Sequence, residues 1–165
     1  MQYYITNTKI IKTLTEEVVA LKTEVKQQRN MREKDDTSLI PSLPFMDVKD
    51  FIDFDTKLLL NDNITSQLKN IIYRVGGKDF LSFLRMALKS ITSDAMAVNL
   101  TWRGTNDKPS IQRFTTFALI KNACHSKYSN STDMDINKVC QQHILHARDR
   151  VQKKKNKQTI NVLKN

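Results

Sequence analysis

Cysteine and histidine side chains lie close together in the last third of the chain, where they could bind zinc. Cys140, His143 and His146 follow Cys124 and His125 in the sequence. Four such ligands could close a tetrahedral site, but their spacing matches no common zinc finger. On a helix, Cys140 and His143 would share an apolar face, while His146 would turn away from Cys140. We therefore predict that this pair packs in the core, and we predict no metal site and no cofactor.

Two other patterns could support catalysis or phosphate binding. A Cys140–His143 nucleophile would need an orienting residue and an oxyanion hole, and the sequence offers no clear candidate for either. The segment Gly76-Gly77-Lys78 resembles part of a phosphate-binding loop, but Asp79 stands where a Walker loop has its Ser or Thr. Glycines at this place better fit the end of a helix, and Asp79 fits the N-cap of the helix that follows. We predict no catalytic residues and a protein that is not an enzyme.

Positive charge is concentrated near the end of the chain. Residues 101–165 contain 13 Lys and Arg against 4 Asp and Glu, which accounts for most of the net charge of +10. A local positive field attracts polyanions. We predict nucleic-acid contacts from Arg103, in a loop beside Trp102, and from a basic run that only Asp149 opposes: Arg148, Arg150, Lys153, Lys154, Lys155 and Lys157. In a second interpretation, the basic run serves only nuclear import or solubility. We expect the Trp102 side chain to pack against the core of the domain.

The elements that position these residues are predicted to be helices. With only 3 Gly and 3 Pro, the chain lacks the turns that many short strands require. Apolar residues recur at helical spacing over residues 48–59, 64–75, 80–91, 114–124 and 136–151. We predict an all-α fold in which a compact bundle of about five helices covers residues 41–151. A basic tail is predicted over residues 152–165.

A short heptad pattern precedes this bundle. Apolar residues alternate at spacings of three and four residues, which places them at positions a and d of a heptad. The residues at a are β-branched and those at d are Leu, a combination that favours a parallel two-stranded coiled coil. The seam consists of Ile11, Leu14, Val18, Leu21 and Val25. We predict a parallel coiled-coil dimer through a helix over residues 1–30, followed by a linker over residues 31–40. An amphipathic helix that packs on its own domain is the alternative interpretation.

Several short motifs follow one another in a recognisable order over about residues 41–150: Leu43-Pro44, Gly76-Gly77-Lys78-Asp79, Arg85, Trp102-Arg103-Gly104, Lys108, Phe114 and Ala147-Arg148. In this order they resemble the domain-of-unknown-function family 4806, which occurs in uncharacterised animal proteins, often behind a coiled coil. The last two helices are also similar to the end of a BEN-type DNA-binding domain. That second resemblance implies a final helix, rich in Arg and Lys, that approaches duplex DNA.

These observations combine into one functional prediction. We expect a non-enzymatic nuclear module that dimerises through its first helix and binds nucleic acid through its C-terminal basic surface, with a role in transcription regulation. The alternative is a protein-interaction adaptor, nuclear or cytoplasmic, whose basic tail serves only import or solubility. No stretch approaches the length of a transmembrane helix, so we expect no membrane.

Overall fold

The computed structural model describes residues 11–26 and 36–162, with side chains as far as Thr159. These residues belong to two units, Met1–Asp36 and Thr37–Asn165. Within the described ranges the regular secondary structure is helical, and β-pairing is limited to two isolated bridges. The prediction of an all-α fold is therefore confirmed.

The first unit contributes helix α1, which covers residues 11–26. Its predicted seam is helical and exposed at all five positions: Ile11, Leu14, Val18, Leu21 and Val25. An apolar stripe of this kind on a surface is typical of a helix that packs on a partner. Residues 1–10 and 27–35 lie outside the described residues, and so do the ends of the predicted dimerisation helix and part of the predicted linker. The dimer itself stays a prediction.

The second unit contains seven α-helices within its described residues. In chain order they are α2 Val48–Leu60, α3 Asp62–Arg74, α4 Phe80–Ile91, α5 Asp94–Ala97, α6 Thr115–Lys127, α7 Asp133–Leu145 and α8 Ala147–Val162, with a 3-10 turn at Ile111–Arg113. The first four predicted helices are present close to their predicted ranges. The predicted number of about five helices is therefore too low for these residues.

Two helices account for the difference. The predicted last helix over residues 136–151 divides at His146, which ends α7 with φ −89° and ψ 10°. No Gly or Pro marks this break, so the apolar periodicity of the sequence predicted one helix where the structure has two. The short α5, which Ser93 caps by accepting a hydrogen bond from the Met96 amide, was not predicted. Helix α8 continues to Val162, so the predicted start of the basic tail at residue 152 falls inside a helix.

The turn between α3 and α4 differs in one detail from its prediction. Val75, rather than the Gly76-Gly77 pair, caps α3. Gly77 is required for a different reason, because a Cβ atom there would lie 2.7 Å from the backbone nitrogen of Phe83. Asp79 caps α4 as predicted, since its carboxylate accepts a hydrogen bond from the Ser82 amide at 2.7 Å.

Helix α4 lies at the centre of the core of this unit. One side of it is fully buried and packs against α6 and α7 through Phe83, Leu84, Ala87, Leu88 and Ile91. Phe45, ahead of α2, closes the end of α4: its amide donates to the Ile91 carbonyl at 2.8 Å, and its carbonyl accepts from the Ser93 amide at 3.0 Å. These two hydrogen bonds hold the backbone between the end of α4 and the start of α5.

A buried carboxylate joins α2 to the start of α6. Helix α6 begins after Phe114, whose side chain cannot accept a hydrogen bond from the free amides of the first turn. Asp55 of α2 takes over that role, with its carboxylate accepting from the amides of Thr115 at 2.9 Å and Thr116 at 2.8 Å and from the Thr116 hydroxyl at 2.7 Å. A contact across 60 residues thus does what a local cap does elsewhere.

We expect the substitution Asp55→Ala to lower the free energy of unfolding by about 2 kcal/mol, because it leaves buried donors at the start of α6 without an acceptor. Urea unfolding measures this loss. Asp53→Ala removes the same group from an exposed position of the same helix and should change stability by less than about 0.5 kcal/mol. Equal losses in the two variants would contradict this role of Asp55.

Candidate nucleic-acid interface

Helix α8 carries the basic run that the sequence singles out. Every residue from Gln152 to Thr159 is exposed. Because successive residues turn by about 100° around an α-helix, the cations divide between two sides. One side has Arg150, Lys153, Lys154 and Lys157, and the other has Arg148 and Lys155. We call these the Arg150 side and the Arg148 side of α8.

Two cations of the Arg150 side hold α8 against α5. Arg150 Nε lies 2.7 Å from Asp94 Oδ1, and Lys154 Nζ lies 2.7 Å from Asp94 Oδ2. The Asp94 side chain is only 8% exposed. Burial acts to raise the pKa of Asp94, but the hydrogen bonds from Lys154 and Arg150 outweigh it, so the pKa lies below its ordinary value. The carboxylate is therefore charged and paired at neutral pH.

The same guanidinium also contacts α7. Arg150 donates from Nη1 to the His143 carbonyl at 2.8 Å and lies 3.2 Å from His143 Nε2 through Nη2. An arginine can only donate, so this ring nitrogen accepts and the imidazole is neutral. Burial, followed by the positive charge of Arg150, lowers the pKa of His143 to about 4. Arg150 thus links three helices, which makes it a positioning residue for α8.

Helix α4 adds two cations that the sequence reasoning missed. Arg85 and Lys89 are exposed, and both contribute to the lowered pKa of His143, so their charge acts on the same region as Arg150. They lie four residues apart and therefore on one side of α4. Residues 41–100 have 7 Lys and Arg against 7 Asp and Glu, and this balance hid a local excess. Helical spacing was the signal that could have revealed it.

The remaining predicted contact, Arg103, is exposed in the loop between α5 and the 3-10 turn. The loop is tied down on both sides of it. Lys108 Nζ donates to the Val98 carbonyl at 2.8 Å, and the Ser110 hydroxyl donates to the Trp102 carbonyl at 2.8 Å. The Trp102 ring packs edge-to-face with Phe117 at a centroid distance of 5.5 Å, so Trp102 contacts the core as predicted.

The surroundings of the cysteines and of His143 do not favour a nucleophilic thiol. Burial and the neighbouring Cys124 raise the pKa of Cys140 to about 12, so its thiol stays protonated. A nucleophilic cysteine needs a lowered pKa and a base able to take its proton.

In the part of the chain that the structure describes, no three or more His, Cys, Asp or Glu side chains are grouped to hold a metal ion. Over the same residues, no helix is long and apolar enough to span a membrane.

The lowered pKa of His143 predicts a loss of stability in mild acid. The unfolded chain binds a proton near pH 6.5 and the folded chain only near pH 4, so protonation favours unfolding as the pH falls through this range. Between pH 7 and pH 5 we expect this histidine to cost about 2 kcal/mol. Urea unfolding of His143→Gln, which keeps an acceptor for Arg150 but does not titrate, should show that much less pH dependence.

His146→Gln provides the matched control, since His146 is exposed and lies one turn further on. This variant should retain the pH dependence of the unaltered chain. If His143→Gln and the unaltered chain lost the same stability between pH 7 and pH 5, the assignment of a neutral imidazole to buried His143 would be wrong.

Comparisons with protein-family models, with curated proteins and with solved structures give no match for this chain. The resemblances to family 4806 and to BEN-type domains therefore stay predictions.

Proposed function

We propose that the protein is a non-enzymatic module that binds nucleic acid through the Arg150 side of α8 together with Arg85 and Lys89 of α4, and that it dimerises through α1. The observation that carries this proposal is the fixed position of α8. Its cations are exposed along a helix whose base is fastened to the domain by Asp94. We define the basic surface by its exposed cations: Arg85, Lys89, Lys153, Lys154 and Lys157.

A fixed helix is a better phosphate-binding element than a flexible lysine tail. A disordered tail must lose conformational entropy when it binds, whereas cations on a docked helix already have their spacing. Several lysines on one side of such a helix neutralise several phosphates together and release their counterions. Lys154 is 71% exposed despite its bond to Asp94 and can contact a phosphate as well. Arg150, at 22%, supports the surface from beneath.

Dimerisation would increase the affinity without any new contact. Two tethered copies of a basic surface bind a polyanion more tightly than either copy alone. The segment Lys154-Lys155-Asn156-Lys157 also has the composition of a short nuclear-import signal. A nuclear location, with a role in transcription regulation, accordingly forms part of this proposal.

The test is a salt series with a labelled duplex of random sequence, followed by fluorescence anisotropy. We expect the double variant Lys153→Gln/Lys157→Gln to bind more weakly, by roughly tenfold for each lost phosphate contact at 0.1 M salt. The slope of log K against log salt should become shallower by about 0.9 per contact. The double variant Lys49→Gln/Lys57→Gln removes the same charge from exposed positions on α2 and should bind nearly as the unaltered chain does.

These substitutions are preferable to deletion of α8, because a deletion also removes Arg150 and its contacts with Asp94 and His143. Absence of salt-sensitive binding by the folded, unaltered chain at low salt would reject the proposal and favour the adaptor. Equal weakening by the α8 and α2 variants would place binding elsewhere on the molecule.

For α1 we expect light scattering to give twice the mass of one chain at high micromolar concentration. Val18 occupies position a of the seam and Val19 the outward position b, and both are exposed in the single chain. Val18→Asp should therefore reduce the mass to that of one chain, whereas Val19→Asp should leave the dimer intact. A single-chain mass for the unaltered protein, or equal effects of the two variants, would contradict the coiled coil.

A further inference from the structure

A groove of about 390 Å³ opens beside the first turn of α8, on its Arg148 side. Its volume lies in the range of small-ligand sites. The walls combine an aromatic ring, aliphatic side chains and charged groups, among them Trp102, Lys108, Ile144, Leu145, Arg148 and Asp149. Leu145 is 72% exposed although it lies next to buried Ile144. The groove is separate from the basic surface, which uses the other side of the same helix.

Trp102 lines this groove, and its side chain is only partly buried. Its contact with Phe117 is edge-to-face, with an angle of 87° between the ring planes. In that geometry Phe117 can cover at most one face of the indole, so the other face is left uncovered by it. An aromatic side chain that lines a groove can serve as a platform on which a planar base stacks.

The charge beside the groove continues along α8. Arg148 lines the groove, and Lys155 lies two turns further along on the same side of the helix. Their separation along the axis is about 10.5 Å, which about three stacked nucleotides span. Asp149 also lines the groove, but its carboxylate lies 3.2 Å from Nδ1 of His146 on its own helix. The net charge along this path is positive.

We propose that this groove receives an unpaired base of a nucleic acid, which stacks on Trp102 while phosphates of the same strand contact Arg148 and Lys155. This inference rests on the proposed function, and it names the substrate more closely: a nucleic acid in which a single-stranded segment adjoins a duplex. The duplex contacts the basic surface on the Arg150 side, and the single strand passes along the Arg148 side of α8.

Trp102 is the only tryptophan of the chain, so its fluorescence reports directly on the groove. Two labelled probes share one duplex, and one of them carries in addition a short single-stranded thymidine overhang. We expect both probes to bind by anisotropy, the overhang probe about fivefold or more tightly, since stacking of one base contributes at least this much. Only the overhang probe should quench the emission of Trp102.

The two sides of α8 supply matched variants. Lys155→Gln should reduce the preference for the overhang while it leaves the binding of the blunt duplex nearly unchanged. Lys157→Gln removes the same charge from the other side, and should weaken both probes equally and keep the preference. Arg148→Gln, at an exposed position of the groove, should reduce both the preference and the quenching of Trp102.

The outcomes separate this inference from the proposed function. Equal binding of the two probes without a change in Trp102 emission would overturn the inference and leave duplex binding by the basic surface in place. If neither probe bound at low salt, the proposed function itself would fail. An acidic peptide with apolar side chains serves as a further probe, and a shift of Trp102 emission by this peptide alone would overturn the inference in favour of a protein-docking groove.

Discussion

The ion pairs of Asp94 determine where α8 lies, and the rest of the candidate site depends on that position. Few residues of α8 reach the core: Ala147 is buried and Val151 partly so, while the residues from Gln152 to Thr159 are exposed. Apolar burial alone would therefore hold only the first turn of this helix. The carboxylate supplies the missing attachment, because Arg150 and Lys154 bind it one turn apart.

This arrangement divides the cations of α8 between internal and external tasks. Arg150 suits the internal one, since its planar guanidinium can donate to Asp94 and His143 at the same time. Lysines remain on the outside, where a flexible stem and a compact charge suit contacts to phosphates of varying position. The neutral state of His143 belongs to the same design, because a second buried positive charge beside Arg150 would weaken the attachment.

The sequence was sufficient for what depends on local pattern. Apolar spacing located α2, α3, α4 and α6, and Asp79 was identified as a cap from its place before α4. What was missed depends on contacts between residues far apart in the chain. Nothing near Asp94 shows that it meets Arg150 across 56 residues, and nothing near Asp55 shows that it caps α6. The basic run was visible as composition, but its division into two sides required knowing that the chain stays helical beyond residue 151.

The burial of Cys124 and Cys140 has a practical consequence. Both thiols are free, both are inaccessible, and burial raises the pKa of each. Alkylating reagents such as maleimides react with exposed thiolates, so they should spare both residues while the protein is folded. A cysteine placed at an exposed position of α8 or α1 would then be the principal point of attachment for a fluorophore or a spin label. Distances from such a label to other labelled positions become measurable without removal of the native cysteines.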